Sequence, residues 1–418
     1  MLILCVRLGY GQSNQELSAL IRQSFSYFPR IKELNKSSEL GELQINLAQS
    51  SYLPSVDGVA SYTYLSPLSQ AVFPTGPGTS ELLKFYPHNN YNFNLSLNQV
   101  VWDFGKTQAQ IEKAKADLLV AHENTESAKL QLAAQVASVY YSLIYLKRSV
   151  QVQDSVIAYY QDDKKIIEGK IKQGDALQID LSTIENNIDQ EKNRQVEFQR
   201  LYDRQAALMR YTTGQVASPS ASDFDFKNIP GAPDLANNPD VLAANERIAS
   251  ARANAKLAES NRLPTLNFQA GAGLKNGYFP DIYSIQFNYL AGFSLAVPIY
   301  HGGRIKQNIS IAQKNLELNE ISKENITTTL QKDLESVQSD RIAYEQQIRN
   351  SEGQIDVARE TLRLTQVRYK QGVVTYLDLV NASTDLQRAY LNRLQYEYQS
   401  TLSQVETCRL LGVKFWQE

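Results

Sequence analysis

Three glycines recur at one fixed interval. Gly105 and Gly303 lie 198 residues apart (303 − 105), as do Gly174 and Gly372, and Gly214 and Gly412. Asp180-Leu181 and Asp378-Leu379 keep the offset, and so do Ile111 and Ile309. A stretch of about 110 residues is thus duplicated without net insertion, so the chain builds one architectural unit twice.

That unit is a long helical hairpin. Lys172-Gln173-Gly174 and Lys370-Gln371-Gly372 each close an outgoing helical pattern. Leu177, Leu181, Ile184 and Ile188, or Leu379, Ala382 and Leu386, then carry a helix back. From Gly105 to Gly169 there is no proline, and Leu132, Val136, Val139, Leu143, Leu146 and Val150 form a coiled-coil seam. The counterparts Leu330, Leu334, Val337, Arg341, Tyr344 and Ile348 keep the seam with one charged exception. A helix of roughly 65 residues is about 97 Å long, and the return helices, 176–213 and 376–411, are about 55 Å. Shorter helices over 15–52 and 239–262 make up the difference by stacking end to end with them.

Leu53-Pro54 and Leu263-Pro264 end those shorter helices, because the residue before proline is driven out of the α region. Alternation follows each proline. Val56, Gly58, Ala60, Tyr62 and Tyr64 share one face of a strand, and Tyr91, Phe93, Leu95 and Leu97 one face of another beyond a loop at 66–88. In the second copy Leu266, Phe268, Ala270 and Ala272 precede a run from Ile285 to Ile299, about 16 residues of alternation and long enough to cross a bilayer with tilt. Gln286, Asn288 and Ser294 form its wet face, and Tyr91, Trp102, Tyr283 and Tyr300 suit the aromatic girdles of a membrane interface. A soluble sandwich face is the competing reading. Four strands cannot close a membrane barrel, and lipid tolerates no open edge, so a membrane location demands oligomerisation with cyclic symmetry: two copies give eight strands, three give twelve.

Leu130 to Leu146 is uncharged and close to the length of a transmembrane helix. Its counterpart, Thr328 to Tyr344, contains Lys332, Asp333, Glu335, Asp340 and Arg341, so the segment is read as aqueous. With 44 acidic and 42 basic residues, no whole-chain charge argues for nucleic acid. Cys5 and Cys408 lie at opposite ends, and His88, His122 and His301 have no ligand-like spacing, so neither a disulfide framework nor a metal site is expected. No cofactor is implied.

The expected division is a signal-peptide remnant at 1–11; a first repeat, 12–214, with a β-hairpin at 53–104 and a tip near 169–175; and a connector at 215–238 that forms a belt. A second repeat follows at 239–412, with a β-hairpin at 264–302 and a tip near 367–375. The tail, 413–418, is expected to occupy the connector's place in the second half. The remnant reading rests on apolar Met1 to Leu8 followed by Gly9-Tyr10-Gly11, against which stands an ordinary frayed terminus.

The ordered set, helix, Leu-Pro, strand, loop, strand, Gly, long helix, tip, return helix, in duplicate resembles the TolC family of bacterial outer-membrane efflux proteins. The resemblance is carried by Leu97-Asn98-Gln99-Val100-Val101-Trp102-Asp103-Phe104-Gly105, by Val297-Pro298-Ile299-Tyr300-His301-Gly302-Gly303, and by Arg368-Tyr369-Lys370-Gln371-Gly372 with Leu377-Asp378-Leu379-Val380-Asn381-Ala382. It covers almost the whole chain after residue 12. The resemblance implies a mainly α fold with membrane β: a homotrimer with a twelve-stranded outer-membrane barrel, continued by a long coiled-coil α-helical barrel across the periplasm. The implied partners are a periplasmic adaptor, an inner-membrane transporter of the RND, ABC or MFS type, and outer-membrane lipid.

In that family acidic residues after the second tip ring the narrowest point of the pore, and a tyrosine and an arginine hold it shut against an aspartate of the first tip. These positions fall on Asp378 and Asn381, on Tyr369, on Val374 where the arginine is missing, and on Asp180. Thr375 and Asp378 also have the spacing of a helix capping box, and one residue can serve both as ring and as cap. Lys170, Lys172, Gly174, Lys370, Gln371 and Gly372 are the candidate adaptor-contact residues at the tips. The function expected is a passive exit duct of a tripartite efflux or type I secretion system, with no catalytic residues. The alternative is a soluble coiled-coil scaffold with small β inserts. An enzyme ranks third, since Asp162-Asp163 is read as a solvated helix face.

Overall fold

A computed structural model describes residues 12–215, 219–221, 223–226 and 234–417. The proposed signal-peptide remnant, Cys5 and parts of the 215–238 connector lie outside the described residues. The chain folds as two compact units, each drawing on both repeats. One takes the described residues up to Ser37, with His122–Ala243 and Lys323 onward; the other takes Ser38–Ala121 and Ala244–Ser322.

The second of these units is built on a four-stranded antiparallel sheet of β1 (Ser55–Tyr64), β4 (Asn89–Trp102), β5 (Thr265–Lys275) and β6 (Gln286–Ala296), in the order β1-β4-β5-β6. Its register aligns the alternating residues across all four strands. Val56 faces Leu97, Leu97 faces Ala270 and Ala270 faces Ala291; the rows through Gly58, Leu95, Ala272 and Tyr289, and through Ala60, Phe93, Leu274 and Phe287, do the same. The opposite face carries Ser61, Asn92, Lys275 and Gln286, with Val59 and Leu290 among its apolar exceptions. Among the described residues the apolar face is unpartnered: Leu95, Phe287 and Tyr289 are all exposed.

Two details depart from the sequence reading. The last strand stops at Ala296, 11 residues long, because Pro298 has no N–H to give a ladder. The loop at 66–88 contains a two-stranded ribbon, β2 (Gln70–Gly76) and β3 (Thr79–Lys84).

β4 runs into Asp103, whose carboxylate caps the next helix by accepting from the backbone N–H groups of Gly105 (3.1 Å) and Thr107 (2.7 Å). Burial would raise this carboxyl, and the hydrogen bonds from Thr107 and Gly105 hold it below its usual range. That helix, α3 (Lys106–Gln173), has 68 residues, and its counterpart α6 (Arg304–Lys370) has 67. The return helices are α4 (Gln178–Thr213) and α7 (Tyr376–Leu410).

The first short helix is two helices. α1 (Gln12–Tyr27) ends and α2 (Pro29–Ser50) begins at Phe28-Pro29, since proline suits the first turn and expels its predecessor from the helix. In the second copy α5 (Pro239–Ser260) is unbroken. α5 starts where α7 ends: the Asn238 side-chain amide donates to the Leu410 carbonyl (2.9 Å). A Cβ on Gly412 would come within 2.5 Å of the Asn237 carbonyl oxygen, so glycine is required at that junction.

The largest core explains the uncharged run at 130–146. Leu132, Val136, Val139, Tyr140, Tyr141, Leu143 and Ile144 are buried all round α3, by Leu17 and Ile21 of α1, Met209 of α4, Val405 of α7, and Phe226, Phe415 and Trp416. Among the described residues no helix is long and apolar enough to cross a membrane. The tail is a correction. It does not mirror the connector in the second half but turns onto the first, where the Arg22 guanidinium donates to the Trp416 carbonyl (3.1 Å), Phe25 meets the Trp416 ring edge-on, and Lys414 pairs with Glu126 (2.5 Å).

Candidate functional site

The two tips are built alike. α3 and α6 end in left-handed glycines, Gly174 (φ 80°) and Gly372 (φ 73°). In each, the N–H after the glycine reaches back to the first carbonyl of the last turn: Asp175 to Lys170 (2.9 Å) and Val373 to Arg368 (3.0 Å). The glycine N–H groups bond Ile171 (3.1 Å) and Tyr369 (3.1 Å), completing a Schellman closure at each tip.

The return helices start differently. Thr375 caps α7, its hydroxyl accepting from the Asp378 N–H (3.3 Å), while the Asp378 carboxylate accepts from the Thr375 N–H (2.9 Å) and hydroxyl (2.7 Å). Those hydrogen bonds hold the exposed Asp378 carboxyl below its ordinary range. The cap half of the dual reading of Asp378 is thus present. At the first tip Leu177 offers no side-chain acceptor, and only the return bond survives, from the Leu177 N–H to Asp180 (3.1 Å). Asp378 and Asn381 lie one turn apart on the exposed side of α7.

Tyr369 is half-buried between the hairpins. The Lys170 ammonium sits 4.2 Å over its ring and donates to its carbonyl (3.5 Å), and the Tyr376 ring lies 5.9 Å away. Burial raises the Tyr369 phenol, and the Asp180 charge adds to it. Lys170 is therefore turned inward to bind the second tip, unlike the exposed Lys172, Lys370 and Gln371. Gly174 and Gly372 are also exposed.

Of the interface aromatics, Tyr91 and Tyr283 lie at the sheet end far from the helices, and Trp102 and Tyr300 at the helix end; all four are exposed.

Two polar groups escaped the sequence reading. Gln387 of α7 donates to Gln153 of α3 (2.9 Å) and to Glu191 of α4 (2.7 Å), a buried bridge among three helices. Asp163, read as a solvated face, is half-buried beside Tyr159. Its spacing from Tyr160 and Ile167, three and four residues, places it on the buried stripe of α3 and was the available signal.

The family model for outer membrane efflux proteins matches residues 20–215 and 234–413. The chain belongs to this family. This efflux protein is a component of the outer membrane that extends into the periplasm, and the family and its structural neighbours are channels. It is 21% identical over 387 residues to nodulation protein T of Rhizobium leguminosarum bv. trifolii, covering 88% of this chain and 79% of that one. It is 21% identical to the solvent efflux pump outer membrane protein SrpC of Pseudomonas putida, over 74% of this chain and 68% of that one. In structure it is similar to CusC (TM-score 0.82, 17% identity, 96% of this chain and 93% of that one) and to the Campylobacter jejuni CmeC outer membrane channel (TM-score 0.79, 17% identity, 97% and 87%).

Proposed function

We propose that three copies of this efflux protein close a twelve-stranded barrel in the outer membrane, continued by a helical tunnel through which substrates leave passively. The observation that carries this is the four-stranded sheet with one continuous apolar face and two edges, β1 and β6, that are unpaired among the described residues. Neither feature suits water, and pairing β1 of one copy with β6 of the next removes both at once. Trp102 and Tyr300 then mark the inner interface, and Tyr91 and Tyr283 the outer one.

Three copies of Asp378 and Asn381 form the ring at the tunnel's narrow end, each Asp378 also capping its helix. Tyr369 and Asp180 hold the tip closed by packing and hydrogen bonding, with Lys170 supplying the cation that Val374 cannot. The exposed residues of the tips, Lys172, Lys370 and Gln371 with Gly174 and Gly372, meet a periplasmic adaptor that joins the duct to an inner-membrane transporter of the RND, ABC or MFS class. Relatives named for solvent, toluene, pyoverdine and antibiotic efflux support an export role and leave the cargo class open. The duct itself performs no chemistry.

Native mass spectrometry of the chain extracted from the outer membrane tests the reading: a trimer that opens channels in planar bilayers is expected, and a monomer without conductance overturns it. Tyr369→Phe is expected to raise single-channel conductance in the same assay.

A further inference from the structure

A small apolar cluster lies near the tips, made of Tyr160 and Ile167 of α3, Ile184 and Ile188 of α4, and Tyr376 and Leu379 of α7. Two polar atoms inside it lack partners. The Asp163 Oδ2 is buried without a hydrogen bond, and so is the hydroxyl of Tyr376, a residue only 3% exposed. Each needs a hydrogen-bond partner; burial raises the Tyr376 phenol, and the Asp163 charge acts on it and adds to the rise. A buried polar group left without a partner costs on the order of 1–3 kcal/mol, so both atoms favour any rearrangement that pairs them.

The elements that meet here are those a gate must move. Asp163 is on α3 of the first hairpin and Tyr376 opens α7 of the second. From α6 the Gln366 amide donates to the Tyr159 hydroxyl (3.2 Å), which in turn hydrogen-bonds Asp163. We propose that Asp163 is a further gating residue, its carboxyl forming with Tyr159 and Tyr376 a buried clasp between the two hairpins whose protonation state selects how the tips pack. This rests on the channel reading above and adds to the tip contacts a site one helical layer behind them.

The charged and titratable surroundings give the sign. Burial raises the Asp163 carboxyl; the Tyr159 hydrogen bond opposes this, Asp162 reinforces it, and Lys370 of α6 opposes it. Tyr160 of α3, Tyr369 of α6 and Tyr376 of α7 complete the ring of ionisable neighbours. From α4 the cluster receives isoleucines, and Glu185 is engaged by Lys164 (2.8 Å). With its carboxyl raised, the present packing is favoured by protonated Asp163: its advantage is complete below the ordinary carboxylate range and is lost as pH rises through the raised value. Once ionised, the carboxylate draws the Tyr376 hydroxyl toward it and α7 repacks.

The test is single-channel recording from the purified trimer across neutral to mildly acidic pH. The wild type is expected to show a step in open probability above the ordinary aspartate range. Asp163→Asn should lose the step, and Tyr376→Phe should move it to higher pH by withdrawing a donor from the carboxylate. A step unchanged in Asp163→Asn overturns the clasp while leaving the channel intact. Absence of any channel in wild type overturns the channel reading and the clasp with it. If Asp163→Asn does not assemble, Tyr376→Phe decides: an unshifted step overturns the proposal and a shifted one supports it.

Discussion

The same stretch of helix occurs twice in this chain with opposite surroundings. Residues 130–146 of α3 are wrapped by α1, by the described part of the connector, by the ends of α4 and α7 and by the C-terminal tail. Residues 328–344 of α6, at the same place in the second repeat, keep only a narrow buried strip, Leu330 and Leu334, under Val241, Leu410 and Leu411. Duplication supplied two equal helices, and the aromatic residues of the connector and tail, Phe226, Phe415 and Trp416, settled on α3, while among the described residues α6 receives only Leu235 and the partly buried Val413 from those segments. The charges on α6 are tolerated because Lys332, Glu335 and Asp340 stay exposed and Asp333 and Arg341 are only partly covered, and the missing charges on α3 follow from full burial, not from a lipid environment.

The sharpest way to break this comparison uses equivalent isoleucines. Ile144 is 1% exposed and Ile342, its partner at the repeat offset, 63%. Ile144→Ala should cost about 2–5 kcal/mol of unfolding free energy, as deletion of a buried aliphatic group does. Ile342→Ala should stay within about 0.5 kcal/mol. Denaturant unfolding followed by circular dichroism measures both. Equal costs would mean that a second copy buries Ile342, and a lowered trimer fraction in native mass spectrometry would identify that copy as the cover.

A smaller effect is expected one turn away. The buried Tyr141 donates through its hydroxyl to the Asp225 carbonyl of the connector (3.0 Å), whereas its counterpart Ser339 bonds only within its own helix, to Glu335 (3.0 Å). Tyr141→Phe should cost about 1 kcal/mol by leaving that carbonyl short of a donor, and Ser339→Ala should be nearly silent. Hydrogen exchange at the connector would locate the loss. If the two substitutions cost the same, the connector does not stabilise α3 through this bond.

Much of this was legible because periodicity and duplication are local signals. The hairpin tips, the Leu-Pro junctions and the alternation of the strands follow from residue spacing alone. The break at Pro29 is an equally local signal, but apolar periodicity on both sides of it reads as one helix and masks it. Long-range packing was not legible: no spacing rule places Phe415 and Trp416 on α1 and α3, since a tail of this length fits either repeat. At the tips, the inward turn of Lys170 toward Tyr369 and the burial of Asp163 depend on how two hairpins lie side by side, which neither hairpin's pattern contains.

The tips offer the finest comparison, since their closures match and their caps do not. Thr375 completes a capping box with Asp378, while Leu177 leaves Asp180 with half of one. Leu177→Thr should therefore stabilise the first turn of α4 by about 0.5 kcal/mol, the low end for a cap side chain. The pH behaviour should change with it. The Asp378 carboxyl is lowered in the folded chain, so the box contributes above the ordinary carboxylate range and fades as pH falls through the lowered value. Thr375→Ala weakens that fading, because only the backbone N–H at 375 is left to donate to Asp378, and Leu177→Thr adds the missing hydroxyl at the first tip. Amide exchange of residues 178–181 and 376–379 across an acid series reads both. Should Leu177→Thr leave exchange at 178–181 unchanged, the first tip is held by Lys170, Tyr369 and the glycine closure, and its cap is irrelevant to how firmly the two hairpins stay together.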